Sequence, residues 1–221
     1  MLEMTMMFEL KNLDEVCRAI SVRQQTRPDF RQRAKSVSAA YTGARGTMIV
    51  DVIGSRQRRY ESFVKPRIIK PYSEQRDGSL KDLAAHPPTF LRLRESEVPG
   101  MSEVAQVLLD YGHGLGITDE EDICSSWATL PSIHDTNGPH DAVKAVFDVK
   151  GIGPALLEYL RMLSGANTIK VDVRVIKSLA AAGVPVHLFK DAGIYEVCRQ
   201  VANELGLTLV ELDSLLWLGE K

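Results

Sequence analysis

The sequence predicts a mainly α-helical fold, and three observations predict it. Apolar residues recur at helical spacing through most of the chain, as at Leu13, Val16, Cys17 and Ile20. Helix punctuation accompanies them: a T-x-x-E box at Thr118–Glu121, Pro154 behind a glycine turn, and Gly183-Val184-Pro185 behind an apolar run. Strand texture is confined to Thr47–Gly54 (TMIVDVIG), short, continuously apolar and rich in β-branched residues, with Arg67-Ile68-Ile69 as a partner. At 221 residues the chain can bury a full core, as one domain or as two small lobes.

Taken in order, Asn12–Val22 forms a first helix that Asn12 or Asp14 can cap. A polar turn, Arg23-Gln24-Gln25-Thr26, leads through Pro28 to a second helix over Phe30–Tyr41. The strand and its partner, Phe63-Val64 with Arg67-Ile68-Ile69, then make a small β-hairpin, with Arg56, Arg58, Arg59 and Tyr60 between them. Arginine and aromatic side chains interleaved in this way can hold a nucleic-acid backbone or stack on bases. An edge hairpin with a basic solvated face accounts for the same residues, and both readings stay open.

Helical texture returns with short helices at Leu80–Ala85 and Phe90–Leu93, then Ser102–Tyr111. The glycine-rich Gly112–Gly116 follows no strand and fits no dinucleotide or P-loop spacing; it closes the preceding helix. The Thr118 box starts a helix that reaches about Leu130. Asn137-Gly138-Pro139 is a loop, followed by a helix at Asp141–Phe147. Further helices are expected at Ala155–Leu163, Val173–Ala182, Ala192–Leu205 and Leu209–Leu218.

Composition excludes several classes. Hydrophobic content of 44% and charged content of 25% are ordinary for a soluble globular protein, and no run approaches the length of a membrane span. The N-terminal MLEMTMMFEL carries Glu3 and Glu9 and no basic leader, so a signal peptide is not expected. Cys17, Cys124 and Cys198 are odd in number and far apart, which suits a reducing cytoplasm and neither a zinc site nor a four-cysteine cluster.

Charge is unevenly placed. The net value is −2, yet Arg23–Arg76 holds 13 Lys and Arg against four Asp and Glu, leaving 14 against 25 elsewhere. A side facing a polyanion would give this asymmetry, and so would a solvated basic surface.

The chemistry concentrates at Val149–Leu179. Gly151-Ile152-Gly153-Pro154 is a tight turn onto an amphipathic helix, and the free amides of such a turn suit a phosphate. Asp172 stands 21 residues after Gly151, just ahead of a second apolar helix. By itself that aspartate is an ordinary helix cap.

The glycine hairpin, the helix behind it and the Val171-Asp172-Val173-Arg174-Val175 segment together resemble the helix-hairpin-helix DNA glycosylases of the endonuclease III superfamily. The likeness is specific over Asp141–Leu179, fair from Lys81 to Lys221 and thin before that. It implies two helical lobes flanking a cleft: residues 1–20 with 170–221 in one, 21–169 in a six-helix-type lobe. Residues 141–182 then form the hairpin plus the aspartate segment, and 42–78 are an insertion on which the family is silent.

The resemblance also assigns roles. Gly151, Ile152 and Gly153 would grip the DNA backbone, and Asp172 would be catalytic; Lys150 stands where the family usually has proline and would add a phosphate contact by its charge. The carbonyls of Val149 and Ile152 would hold a monovalent cation, K+ or Na+. Gln24 and Gln25 match the glutamine turn that fills the space left by a flipped base, although a plain polar loop explains them too. Trp217 would be a buried anchor in the last helix. Arg58 and Arg59, in the stretch on which the family is silent, would add to the DNA-binding face on the strength of their interleaving with aromatic residues alone. The iron–sulfur cluster of many relatives is not expected. Duplex DNA is the expected partner, met by a monomer in the cytoplasm or at the nucleoid with no membrane involved.

One departure from the family decides the type of reaction. Where bifunctional members place a lysine nucleophile, this chain has Ala155, which offers no amine. Lys150 and Lys170 flank the two motifs as surface lysines suited to phosphate, and Arg174 replaces the family's histidine. A monofunctional glycosylase is therefore expected, in which Asp172 stabilises the cationic sugar and orients or deprotonates water. The rival expectation is a non-catalytic helix-hairpin-helix DNA-binding protein. Trp127, Tyr111 and His113 are candidates for lining a base pocket.

Overall fold

A computed structural model describes Asn12–Arg94 and Ser96–Trp217; the expectations for the N-terminal segment and for the residues after Trp217 fall outside these. Among the described residues there are twelve α-helices and no strand. They are α1 (Leu13–Thr26), α2 (Phe30–Val37), α3 (Arg45–Gly54), α4 (Lys70–Gln75), α5 (Leu80–Ala85), α6 (Glu97–Gly114), α7 (Glu120–Ala128), α8 (Asp141–Asp148), α9 (Pro154–Leu163), α10 (Val173–Ala181), α11 (Asp191–Glu204) and α12 (Leu209–Trp217). Tight 3-10 turns lie at Ser38–Tyr41 and Val186–Leu188, and Tyr60–Ile69 winds as a wider π-type helix. No helix among the described residues is long and apolar enough to cross a membrane.

The chain forms two compact units, each with its own core. One takes the chain up to Lys35 and from Asn167 onward; the other is Ser36–Ala166. The resemblance draws these boundaries at 20/21 and 169/170.

In the Ser36–Ala166 unit the expected β-hairpin is absent. Thr47–Gly54 belongs to α3, and Arg67-Ile68-Ile69 to the π-type helix. Every residue of α3 is buried, so no polar face remains to betray a helical period. Nor is this segment peripheral: α3 runs antiparallel to α9. Arg45 Nη1 donates to the Leu163 carbonyl at 3.0 Å, Tyr159 donates to Asp51 Oδ2 at 3.1 Å, and Arg56 lies beside Gly151. Met48, Ile49, Val52, Leu157 and Leu160 fill the core around this pair.

Several polar groups brought into that core are paired. Asp51 Oδ2 accepts three phenolic hydroxyls, from Tyr41 at 2.7 Å and from Tyr60 and Tyr159 at 3.1 Å. Buried Arg161 on α9 donates to the Ala128 and Leu130 carbonyls, satisfying the open end of α7. Gly46 packs so tightly that a Cβ there would stand 2.2 Å from the Ser79 carbonyl oxygen. Trp127 is a core residue, its indole donating to the Ala142 carbonyl, and not a pocket wall.

Other elements shift by small amounts. Phe90–Leu93 is a bend, not a helix. The cap of α7 is Asp119, which accepts from the Glu121 and Asp122 amides, one residue beyond Thr118. The second helix ends at Val37 and tightens into the 3-10 turn.

In the other unit, α1, α10, α11 and α12 bury Val16, Ile20, Val175, Leu179, Val197, Val201, Leu212 and Leu215. The amphipathic spacing of α10 puts Val175 and Leu179 inward while Asp172, at its start, stays at the surface edge.

Candidate functional site

The hairpin is built by α8, a two-glycine turn and α9. Val149 and Ile152 anchor the turn in the core, and the Ile152 amide donates to the Val149 carbonyl at 3.0 Å. Gly151 has φ of +99°, a left-handed conformation that favours glycine. Pro154 occupies the first turn of α9, as its missing N–H allows. The amides of Gly151, Gly153 and Ala155 have no acceptor among the described residues. Amides at a helix start carry partial positive charge and suit an anion.

Two cations stand at this turn. Lys150 is exposed and forms no ion pair among the described residues. The sequence places Arg56, just beyond α3, only among the arginines interleaved with aromatic residues, not at this turn. Its Nη1 would be 3.1 Å from a Cβ on Gly151, and its guanidinium has no hydrogen-bond or ion-pair partner among the described residues. Only the antiparallel packing of α3 on α9 brings together residues 95 positions apart.

Several expected DNA contacts are placed otherwise. Arg58 turns inward and pairs with buried Glu97 through both guanidinium ends, at 3.1 and 2.7 Å, and also donates to the Gly54 carbonyl. A buried carboxylate needs a charged partner, and Arg58 supplies it. Arg59 is exposed. Gln24 and Gln25 lie in the last turn of α1, not in a loop; Gln25 is exposed and Gln24 half-buried. They belong to the same unit as Asp172, whereas the hairpin, Arg58 and Arg59 belong to the other.

Nor does Arg23–Arg76 make one basic face. Among the described residues at least six of its thirteen cations, Arg31, Arg45, Arg58, Lys65, Lys70 and Arg76, form ion pairs. Four of the acidic partners, Glu211, Glu121, Glu97 and Asp82, come from outside the stretch. Charge balance along the chain is not charge balance in space.

Asp172 caps α10: its Oδ1 accepts the Arg174 and Val175 amides at 2.8 and 3.2 Å. Its Oδ2 lies 3.8 Å from the Lys170 ammonium. Lys170 is therefore not the solvated lysine expected; its side chain is 19% exposed. Beneath this pair is Asp213 of α12, whose Oδ1 accepts the Lys170 amide at 3.1 Å. Burial pushes the Asp213 carboxyl up to about 7, with Lys170 and Arg33 pulling it down and Asp172 adding to the rise. Trp217 is half-exposed, not a buried anchor: the guanidinium carbons of Arg33 and Arg174 lie 4.3 and 4.6 Å from its ring centroid.

Among the described residues no group of three or more His, Cys, Asp and Glu could hold a metal, and Cys17, Cys124 and Cys198 are buried free thiols. Tyr111 bonds Ser126 through its hydroxyl and His113 is exposed. No family of known proteins, no curated protein and no solved structure matches this chain.

Proposed function

We propose that this chain is a DNA repair glycosylase of the helix-hairpin-helix type, hydrolysing the N-glycosidic bond of a damaged or mismatched base. The observation that carries the proposal is the hairpin. Among the described residues, three amides without acceptors, Gly151, Gly153 and Ala155, open beside two unpaired cations, Lys150 and Arg56. A backbone phosphate of duplex DNA matches that arrangement in charge and in hydrogen-bond donors. A monovalent cation on the Val149 and Ile152 carbonyls would strengthen this grip, and no step depends on it.

Asp172 takes the chemical step in this reading. Loss of a base builds positive charge on the sugar, and a fixed carboxylate opposite that charge lowers the barrier. The cap bonds hold Oδ1, which fixes the carboxylate before reaction, so that Oδ2, which the Lys170 ammonium faces at 3.8 Å, is the oxygen to meet the sugar or an attacking water. The nucleotide must leave the stack first, at a cost of roughly a few kcal/mol that a damaged pair lowers. With Ala155 at the nucleophile position the product is an abasic site in an uncut strand.

A second reading, a DNA-binding protein without excision, is favoured by one observation: the two cap bonds already give Asp172 a structural role. Single-turnover excision separates the two. Duplexes carrying alkylated, oxidised, deaminated and mismatched bases are incubated with wild type and Asp172→Asn, with and without alkaline workup. Breaks seen only after alkali, and lost in Asp172→Asn, are expected. Duplex binding without excision of any base would establish the second reading. Breaks without alkali would mean that an amine serves, and Lys170, beside Asp172, is then the one to replace.

A further inference from the structure

Asp213 is a carboxyl in hydrocarbon surroundings, 8% exposed and flanked on α12 by the buried Leu212 and Leu215. Its hydrogen bond from the Lys170 amide fixes the backbone two residues before Asp172. The ammonium of the same lysine faces Asp172 Oδ2. One lysine is thus held at its backbone by one carboxyl and at its head by another. An amide side chain could accept that N–H at far lower desolvation cost than a carboxyl.

We propose that Asp213 is a positioning residue for the Asp172 site, acting through Lys170 to set how much of the lysine's charge is left on Asp172. Its catalytic meaning rests on the glycosylase reading; the coupling itself does not. The charged and titratable groups facing Asp213 are Lys170 and Asp172 from the segment before α10, Arg33 from α2 and the Cys198 thiol from α11. Cys198 is pushed above its ordinary range by burial and by Asp213 itself, so at neutral pH it stays a thiol.

The consequence is a switch near neutrality. With Asp213 protonated, its carboxyl draws none of the Lys170 charge away from Asp172. Once ionised, Asp213 shares that ammonium, and Asp172 presents more negative charge to a cationic sugar. Excision should then rise roughly three- to tenfold between about pH 6 and 8, the effect of one partly screened charge.

Carbon-13 NMR of the Asp172 carboxyl tests the coupling without any substrate. Wild type, Asp213→Asn and Lys170→Met are titrated, and the signal is assigned by its loss in Asp172→Asn. In wild type a second inflection near pH 7 is expected on the Asp172 curve. It should vanish in Asp213→Asn, which keeps an acceptor for the Lys170 amide, and shrink in Lys170→Met. No such inflection in wild type, or the same inflection in Asp213→Asn, would overturn the proposal. Excision by wild type should show the pH step and by Asp213→Asn a flat profile; a step of equal size in both overturns the catalytic part. An NMR inflection with no excision of any base supports the coupling and removes the glycosylase reading instead.

Discussion

The Arg56 guanidinium rests against Gly151: a Cβ on that glycine would lie 3.1 Å from Arg56 Nη1, and Gly151 itself has φ of +99°. The hairpin is thus shaped by a glycine that no other residue replaces without strain, next to a cation contributed by a distant helix end. Arg56→Ala should weaken duplex binding and flatten the dependence of log K on log salt by roughly 0.9, the value for one phosphate contact. Gly151→Ala should lose binding and about 1–2 kcal/mol of stability through its left-handed conformation. Fluorescence anisotropy across a salt series, with denaturation to check folding, measures both. An unchanged slope in Arg56→Ala would remove Arg56 from the interface.

In the glycosylase reading Asp172 has two separable jobs. Asparagine caps a helix about as well as aspartate, so Asp172→Asn should keep its stability within a few tenths of a kcal/mol. Excision should nevertheless fall by at least about 100-fold, the scale of a lost charge-stabilising group. Asp172→Ala should lose both, with about 1 kcal/mol of stability gone. Retained excision in Asp172→Asn would reduce the residue to a cap.

The carboxylate at Asp51 ties four segments together through Tyr41, Tyr60 and Tyr159. Asp51→Leu leaves three hydroxyls without this acceptor and should cost about 3 kcal/mol in urea denaturation, as for a broken buried network. Burial, with Asp51's charge adding to it, raises Tyr60 from its ordinary 10 to about 12 and pushes Tyr41 up further. The unfolded chain releases these phenolic protons first, so stability is full below pH 10 and falls as pH rises toward 12. Tyr60→Phe should make that fall shallower.

Asp213 works against stability at neutral pH. Its folded value, about 7, lies above the ordinary 3.8, so its contribution is full below 3.8 and is lost as pH rises through about 7. Asp213→Asn should therefore raise the melting temperature at about pH 8, by an amount worth on the order of 2 kcal/mol, with little gain near pH 4. Equal melting curves at the higher pH would mean that the carboxyl is not held in its protonated form by the fold.

Local chemistry made most helices legible. Pro154 and Asp172 mark helix starts because a proline or a cap acts within one turn, and the structure uses both of them there. The mistaken strand shows where such reasoning stops. Thr47–Gly54 is buried on every side as a helix, and a run without a polar face has no period to read. Asp51 in its centre was the one available signal, since a lone carboxylate sits poorly inside a buried strand and needs partners from elsewhere.

The candidate site divides along the same line. Sequence alone determined the glycine turn, the proline that starts α9, the absence of a lysine at Ala155 and the aspartate ahead of α10, because these act within a few residues of themselves. Tertiary structure alone decided that Arg56 meets Gly151, that Arg58 is spent on Glu97, and that Asp213 lies under Lys170. These pairs are separated by 39 to 95 residues, and only helix packing sets such distances. Whether a charge is free to act or consumed in a pair depends on that packing, because electrostatic partners are chosen by space and burial rather than by order along the chain.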